Sequence, residues 1–157
     1  ALPQLHLYAC DAVFVQLPLH IYRTHSLGPG WKNGCSTPAS LAVYRSDFVI
    51  QCGTHGLGRA NPLGDLPVNE TSTGVRVSNT RGTAAIAHFD VPDNGNSEFF
   101  INLQTNSHLD EVYSGYCVFA QVSEDDAASF AVVDKIAAAI KKQGTVPINA
   151  ITYDAAA

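Results

Sequence analysis

The reading turns on Arg81-Gly82-Thr83-Ala84-Ala85-Ile86-Ala87-His88 and, a short loop later, Asn96-Ser97-Glu98-Phe99-Phe100-Ile101-Asn102. Gly82 to Ala87 is a run of small and apolar residues and reads as a buried strand. Glu98 to Leu103 reads as a second strand, anchored by the aromatic pair Phe99-Phe100 and by Ile101. The loop between them, Asp90 to Asn96, carries Asp90, Asp93 and Asn94, which are simplest as turn formers.

Downstream, Tyr116 to Val122 predicts another strand. Asp125 or Asp126 is an N-cap, and a helix of about residues 125–143 follows to Gln143. Its Phe130, Val133, Ile136, Ala137 and Ile140 share one face. Lys141 and Lys142 complement the dipole, Gly144 holds the C′ position, and Val146 to Tyr153 predicts a last strand. Upstream, Leu41 to Gln51 reads as strand interrupted near Ser46-Asp47, and Val75 to Val77 as a short strand. The glycine-rich stretch from Gly53 to Leu66 and the turn-rich stretch from Thr24 to Pro38 read as loop. Residues 5–8 and 13–21 read as two short strands. Many short strands with one clear helix point to a barrel or sandwich.

A chain of 157 residues favours one domain, residues 1–157, with enough chain for a real core. Hydrophobic residues at 46% and charged residues at 15% weigh against disorder. A net charge of -5 argues against nucleic acid, because phosphate contacts need clustered Lys and Arg. No apolar run approaches the roughly 18 residues of a membrane span, and Val13 to Leu19 is broken by Gln16 and Pro18. The chain starts at Ala1 and has no Met, so a processed or trimmed form is expected. A removed targeting peptide would mean an imported or exported protein, in an organelle, a lumen or the periplasm. Cys10, Cys35, Cys52 and Cys117 include no C-x-x-C pair, so isolated buried thiols are expected, with one or two disulfides as the alternative. The six histidines show no metal-ligand spacing, so no metal site is expected. Gly53-Thr54-His55-Gly56-Leu57-Gly58 lacks the order of a phosphate loop. Cys52 with His55 is a poor thiol–base pair, three apart in a glycine loop. Asn69-Glu70-Thr71 is formally a glycosylation sequon and reads as incidental.

Three ordered segments together resemble the cyclophilins, the cyclosporin-binding peptidyl-prolyl isomerases. Phe48-Val49-Ile50-Gln51-Cys52-Gly53 resembles F-[MV]-x-Q-G-G. The stretch from Arg81 to Asn102 is similar to the bacterial R-G-T-L-A-M-A-R…S-Q-F-F-I-N. Leu109-Asp110 followed by Tyr116-Cys117-Val118-Phe119-Ala120-Gln121-Val122 resembles L-D…Y-A-V-F-G-K-V. The likeness spans about residues 41–153 and fails over the divergent residues 1–40. It implies an all-β fold: a closed eight-stranded antiparallel barrel with the C-terminal-half helix, the family's first helix lost or reduced.

The implied activity is cis-trans isomerisation of X-Pro bonds in proline-containing polypeptides. It needs no metal or cofactor, because no covalent bond is broken. The resemblance implies a proline pocket of Phe48, Val49, Phe100 and Leu109, with Tyr116 at the position of the pocket histidine. It implies that Ala87 and His88 hold the incoming peptide by its backbone, and that Gln51 orients the catalytic arginine. In the family five positions separate that arginine from the pocket phenylalanine, whereas Arg45 precedes Phe48 by three. A shift of two keeps Arg45 on the same strand face, which favours it over Val43. His108 replaces the tryptophan that contacts cyclosporin, implying weak drug binding. Cys52 replaces a glycine and would be strained if that position had φ > 0. These departures support an alternative: a catalytically degenerate subunit of a larger protein assembly. Hydrolase chemistry at Cys52 ranks third.

Overall fold

The computed structural model describes residues 8–9, 39–45, 47–52, 69–72, 76–95, 98–143 and 145–148; residues 8–9, 39–45, 52, 72, 143 and 145–148 are described by backbone alone. The strands are β1 (Tyr8–Ala9), β2 (Ala39–Arg45), β3 (Val49–Cys52), β4 (Thr83–Ile86), β5 (Phe99–Asn102), β6 (Val118–Gln121) and β7 (Thr145–Ile148). One α-helix, α1 (Ala127–Gln143), lies among the described residues. The strands form one antiparallel sheet in the order β1-β6-β4-β5-β3-β2-β7.

The described residues are therefore β-rich with one α-helix, and the ladder among them is open between β1 and β7. The expected strand at 13–21, the loops at 24–38 and 53–66, Gly144, and the region of the family's first helix lie outside the described residues. The break expected near Ser46-Asp47 is the turn at Asp47-Phe48 between β2 and β3.

Two expected strands come out differently. The described part of Val75–Val77 is not strand, because the polar groups that follow it are claimed by a side chain: the Asn79 N–H donates to Asp110 Oδ1 at 2.8 Å. Tyr116 stays outside β6 for the same kind of reason. Its N–H donates to the Leu109 carbonyl and its own carbonyl accepts from Asn79 Nδ2.

Strand alternation divides the sheet into two faces. Ile50, Ala84, Ile86, Phe99 and Ile101 form the main core with Val133, Ala137 and Ile140 of α1. Phe130 and Ile136 pack at its edge, so the helix face read from the sequence is the face that is covered. Asp126 caps α1 by accepting from the Ser129 N–H at 2.9 Å and the Ser129 hydroxyl at 2.7 Å. Gly82 lets helix and sheet meet: its φ is +87°, and a Cβ there would lie 2.6 Å from the Phe130 ring. Arg81 stacks over the same ring and reaches Asp134 at 3.0 Å.

The opposite face carries a smaller cluster of Val49, Ala85, Phe100, Leu109 and Val118. Strict alternation would put Val118 and Ala120 on one side. The register of β6 against β4 slips instead, pairing Ala84 with Ala120 and Ala85 with Val118, so Phe119 is an extra residue. Phe119 and Ala120 both join the helix-side core, and Val118 is freed for the other face.

Candidate functional site

The smaller cluster gathers most of the expected pocket. Val49, Phe100 and Leu109 are among its buried members, and Phe48, Ala87 and Tyr116 pack against it half-buried. They come from β3, β5, the turn before β3, the 3₁₀ turn Ser107–Asp110 and the segments flanking β4 and β6. The Tyr116 ring meets Phe100 edge-on with centroids 5.5 Å apart. The His88 imidazole stacks on Tyr116 with centroids 4.2 Å apart. Both His88 nitrogens meet backbone carbonyls, Nδ1 that of Phe89 and Nε2 that of Gly115. His108, the departure from the family pattern, stacks on Phe48 at 5.6 Å.

Gln51 stands directly opposite Phe100 in the β3–β5 register. Its Nε2 donates to Glu98 Oε2 at 2.9 Å. Glu98 immediately precedes β5, and its bond to Gln51, the partner of Phe100, places its side chain on the Phe100 side. Its carbonyl accepts from the Ala87 N–H at 2.9 Å, so the Ala87 amide is held within the ladder. Sequence reasoning passed over Glu98, although the quoted family motif has Gln at that place.

Arg45 ends β2 in register with Val49, while Ala42 pairs with Gln51. The step from 42 to 45 against the step from 51 to 49 is one residue too long, so β2 carries an irregularity there. Both partners, Val49 and Gln51, belong to the groove-side row of β3. The Arg45 side chain lies outside the described residues. Cys52 ends β3 opposite Phe99; the positive-φ non-glycine residues among those described are Tyr113 and Ser114, so Cys52 does not carry the strain considered for it. Cys117 is buried, its Sγ donating to the Val118 carbonyl at 3.9 Å; Cys10 and Cys35 lie outside the described residues, and Cys52 is described by backbone alone.

The smaller cluster rests on a polar frame that no short motif announces. Asn79, Asn102 and Asn106 are 0%, 0% and 1% exposed, so each amide must be bonded internally. Asn102 Nδ2 donates to Asn79 Oδ1 at 3.0 Å and to Thr83 Oγ1 at 2.9 Å. Asn106 Nδ2 donates to Asn102 Oδ1 at 2.8 Å and to the Phe48 carbonyl at 3.2 Å. Asn79 Nδ2 donates to Asp110 Oδ1 at 2.9 Å, and the Ser78 hydroxyl donates to Asp110 Oδ2. Phe48 and Leu109 are thereby tied to the strand that carries Phe100. Burial pushes the Asp110 carboxyl upward, but the bonds from Ser78 and Asn79, with the Arg76 charge, outweigh it and hold the pKa below the ordinary value.

The sequon residue Asn69 is also structural. It is buried, its Nδ2 donates to the Gly115 carbonyl at 2.9 Å, and its N–H donates to Asp93 Oδ1 at 2.8 Å. Asp93 thus braces two loops, beyond shaping its own turn, while Asn94 accepts from the Phe89 N–H as a turn former does.

Among the described residues no group of three or more His, Cys, Asp or Glu could hold a metal ion, and no helix is long and apolar enough to cross a membrane. Comparison with known proteins adds the following. The family profile described as cyclophilin type peptidyl-prolyl cis-trans isomerase/CLD matches residues 40–153. A peptidyl-prolyl cis-trans isomerase of Acinetobacter baylyi is 38% identical over 94 residues, covering 58% of this chain and 47% of the relative. Peptidyl-prolyl cis-trans isomerase B of Escherichia coli is 37% identical over 97 residues, covering 57% of this chain and 54% of the relative. Peptidyl-prolyl cis-trans isomerase cyp18 of Streptomyces antibioticus is 28% identical over 118 residues, covering 71% and 69%. The chain spans about half the length of the first two relatives.

Proposed function

The chain belongs to the cyclophilin-type peptidyl-prolyl cis-trans isomerase family, and we propose that it accelerates turnover of X-Pro bonds in polypeptide substrates. The observation that carries this is the slot itself: Phe48, Val49, Phe100, Leu109 and Tyr116 on one face, with Gln51 in register with Phe100. An X-Pro amide prefers trans by only about 0.5–1 kcal/mol, yet resonance sets a barrier of about 18–20 kcal/mol. A catalyst need only bind the twisted amide better than either planar form.

In this reading the pyrrolidine ring enters the slot, and Ala87 and His88 hold the flanking peptide. At the twist the prolyl nitrogen regains a lone pair, and Arg45 donates to it, oriented by Gln51. The pairing of Arg45 with Val49 supports Arg45 over Val43 for this role. We read the seven-strand ladder as part of a closed eight-stranded barrel, and residues 1–157 as one domain. With His108 against Phe48, cyclosporin should bind weakly.

The second reading is the catalytically degenerate subunit of a larger assembly, favoured by the shortened Arg45–Phe48 segment. NMR exchange on an X-Pro peptide separates the two. Arg45→Ala should lower kcat/KM by about 100-fold or more while circular dichroism and Tm stay put. Well-folded wild-type protein that gives no acceleration would leave the subunit reading, and native-extract gel filtration would then show the chain eluting with a complex.

A further inference from the structure

We propose that Asn69 is a positioning residue for His88, acting through the Gly115 carbonyl, an inference that rests on the isomerase reading in which His88 holds the flanking peptide. Tyr113, Ser114 and Gly115 have φ values of +54°, +71° and +86°, three left-handed residues in a row. Only Gly115 takes that conformation without strain, so the loop depends on bonds from outside to keep its shape. One short segment supplies two of them. Thr71 Oγ1 donates to the Ser114 carbonyl at 2.7 Å, and Asn69 Nδ2 donates to the Gly115 carbonyl at 2.9 Å. The two-residue step of the sequon, Asn69 to Thr71, thus serves adjacent carbonyls of one strained loop.

The Gly115 carbonyl is where this bracket reaches His88. A carbonyl oxygen has two lone pairs, and Asn69 Nδ2 and His88 Nε2 face the Gly115 oxygen at 2.9 Å and 3.1 Å. The surroundings fix which way the Asn69 amide points. Its Oδ1 accepts from the Thr71 N–H at 3.3 Å, which turns Nδ2 toward the carbonyl. Asn69 also reaches the loop that follows His88: its N–H donates to Asp93 Oδ1, and Asn94 Oδ1 of the same loop accepts from the Phe89 N–H. Tyr116, the residue after Gly115, stacks on the imidazole at 4.2 Å. A shift of the Gly115 peptide therefore moves both a bond partner and the stacking partner of His88. Arg45 and Gln51 are set instead by the pairing of β2 and β5 with β3. Loss of the Asn69 bond should then weaken binding of the peptide and leave turnover of the bound amide alone.

The test is Asn69→Asp, which keeps the side chain's shape and the acceptor for Thr71 but puts a second oxygen where the donor to Gly115 stood. With an X-Pro peptide, KM should rise about fivefold, the size expected from one hydrogen bond, while kcat stays put. In a His88→Ala background the same change should add nothing to KM, because the residue through which it acts is gone. In NMR spectra of the Asn69→Asp protein the His88 ring protons, shifted in the wild type by the Tyr116 ring, should move toward the positions of an exposed histidine. An unchanged KM, a rise of the same size with and without His88, or His88 signals that stay where they were overturns the proposal. If Asn69→Asp does not fold, Asn69→Ser keeps a hydroxyl acceptor for Thr71, falls short of Gly115 and is read by the same criteria. Wild-type protein that does not turn the peptide over sinks the isomerase reading alone, and the His88 signals then decide whether Asn69 places the ring.

Discussion

Phe99 and Phe100 are consecutive residues of β5, yet they serve opposite sides of the sheet. Phe99 packs edge-on against Phe119 in the core under α1, with ring centroids 5.7 Å apart. Phe100 packs with Val49, Leu109 and Tyr116 in the smaller cluster on the other side. The helix side is closed by apolar side chains from strands and helix, and its buried members are all hydrophobic. The groove side is edged by Gln51, His88, Glu98 and His108 and held by a chain of buried asparagines. One face is finished for stability. The other keeps half-buried residues at its edge and gets its shape from hydrogen bonds, which fix positions more sharply than apolar contacts do.

The comparison breaks most visibly by truncating each phenylalanine in turn. Phe99→Ala should cost about 3–5 kcal/mol in chemical denaturation, because a large cavity opens under the helix. Phe100→Ala should cost less stability but raise KM for a proline peptide, because its ring forms the floor of the slot. Equal destabilisation with no change in KM would show that the two faces are not functionally distinct. A comparable effect is expected from Asn102→Ala, which removes one partner each of the Asn106 donor and of the Asn79 and Thr83 acceptors. Each buried group left unpaired costs about 1–3 kcal/mol. Stability should therefore fall, and the Phe48 ring signals in NMR should broaden as its carbonyl anchor loosens.

The smallest effect sharpens the picture through pH. The Asp110 pKa is held below its unfolded value, near 4 for an ordinary aspartate, so the folded state binds fewer protons in the interval between the two values. Its contribution is fully present above the unfolded pKa and is lost as pH falls through the folded one. Urea midpoints between pH 5 and pH 2 should decline less steeply for Asp110→Asn than for the wild type. Parallel curves would show that the frame does not depend on that charge.

Much of the fold could be read from the chain because it rests on local period. The split of Phe99 from Phe100, the buried run Thr83–Ile86 and the covered face of α1 all follow from alternation or from helical spacing. The candidate slot residues were reachable because short ordered motifs carry them. The asparagine frame was not, because Asn79, Asn102, Asn106 and Asp110 come from three separate segments, and Asn is equally at home in turns. The strand that the sequence predicts at Val75–Val77 does not appear in its described part, because Asp110 claims the neighbouring Asn79 amide.

By itself the sequence determined which side chains could share a face, since that depends only on the repeat of the backbone. Tertiary structure alone decided which polar groups pair, where β6 gains its extra residue, and that Glu98 binds Gln51 across 47 positions of chain. Such pairings are settled when distant segments exclude water together, and no local pattern records which segments will meet.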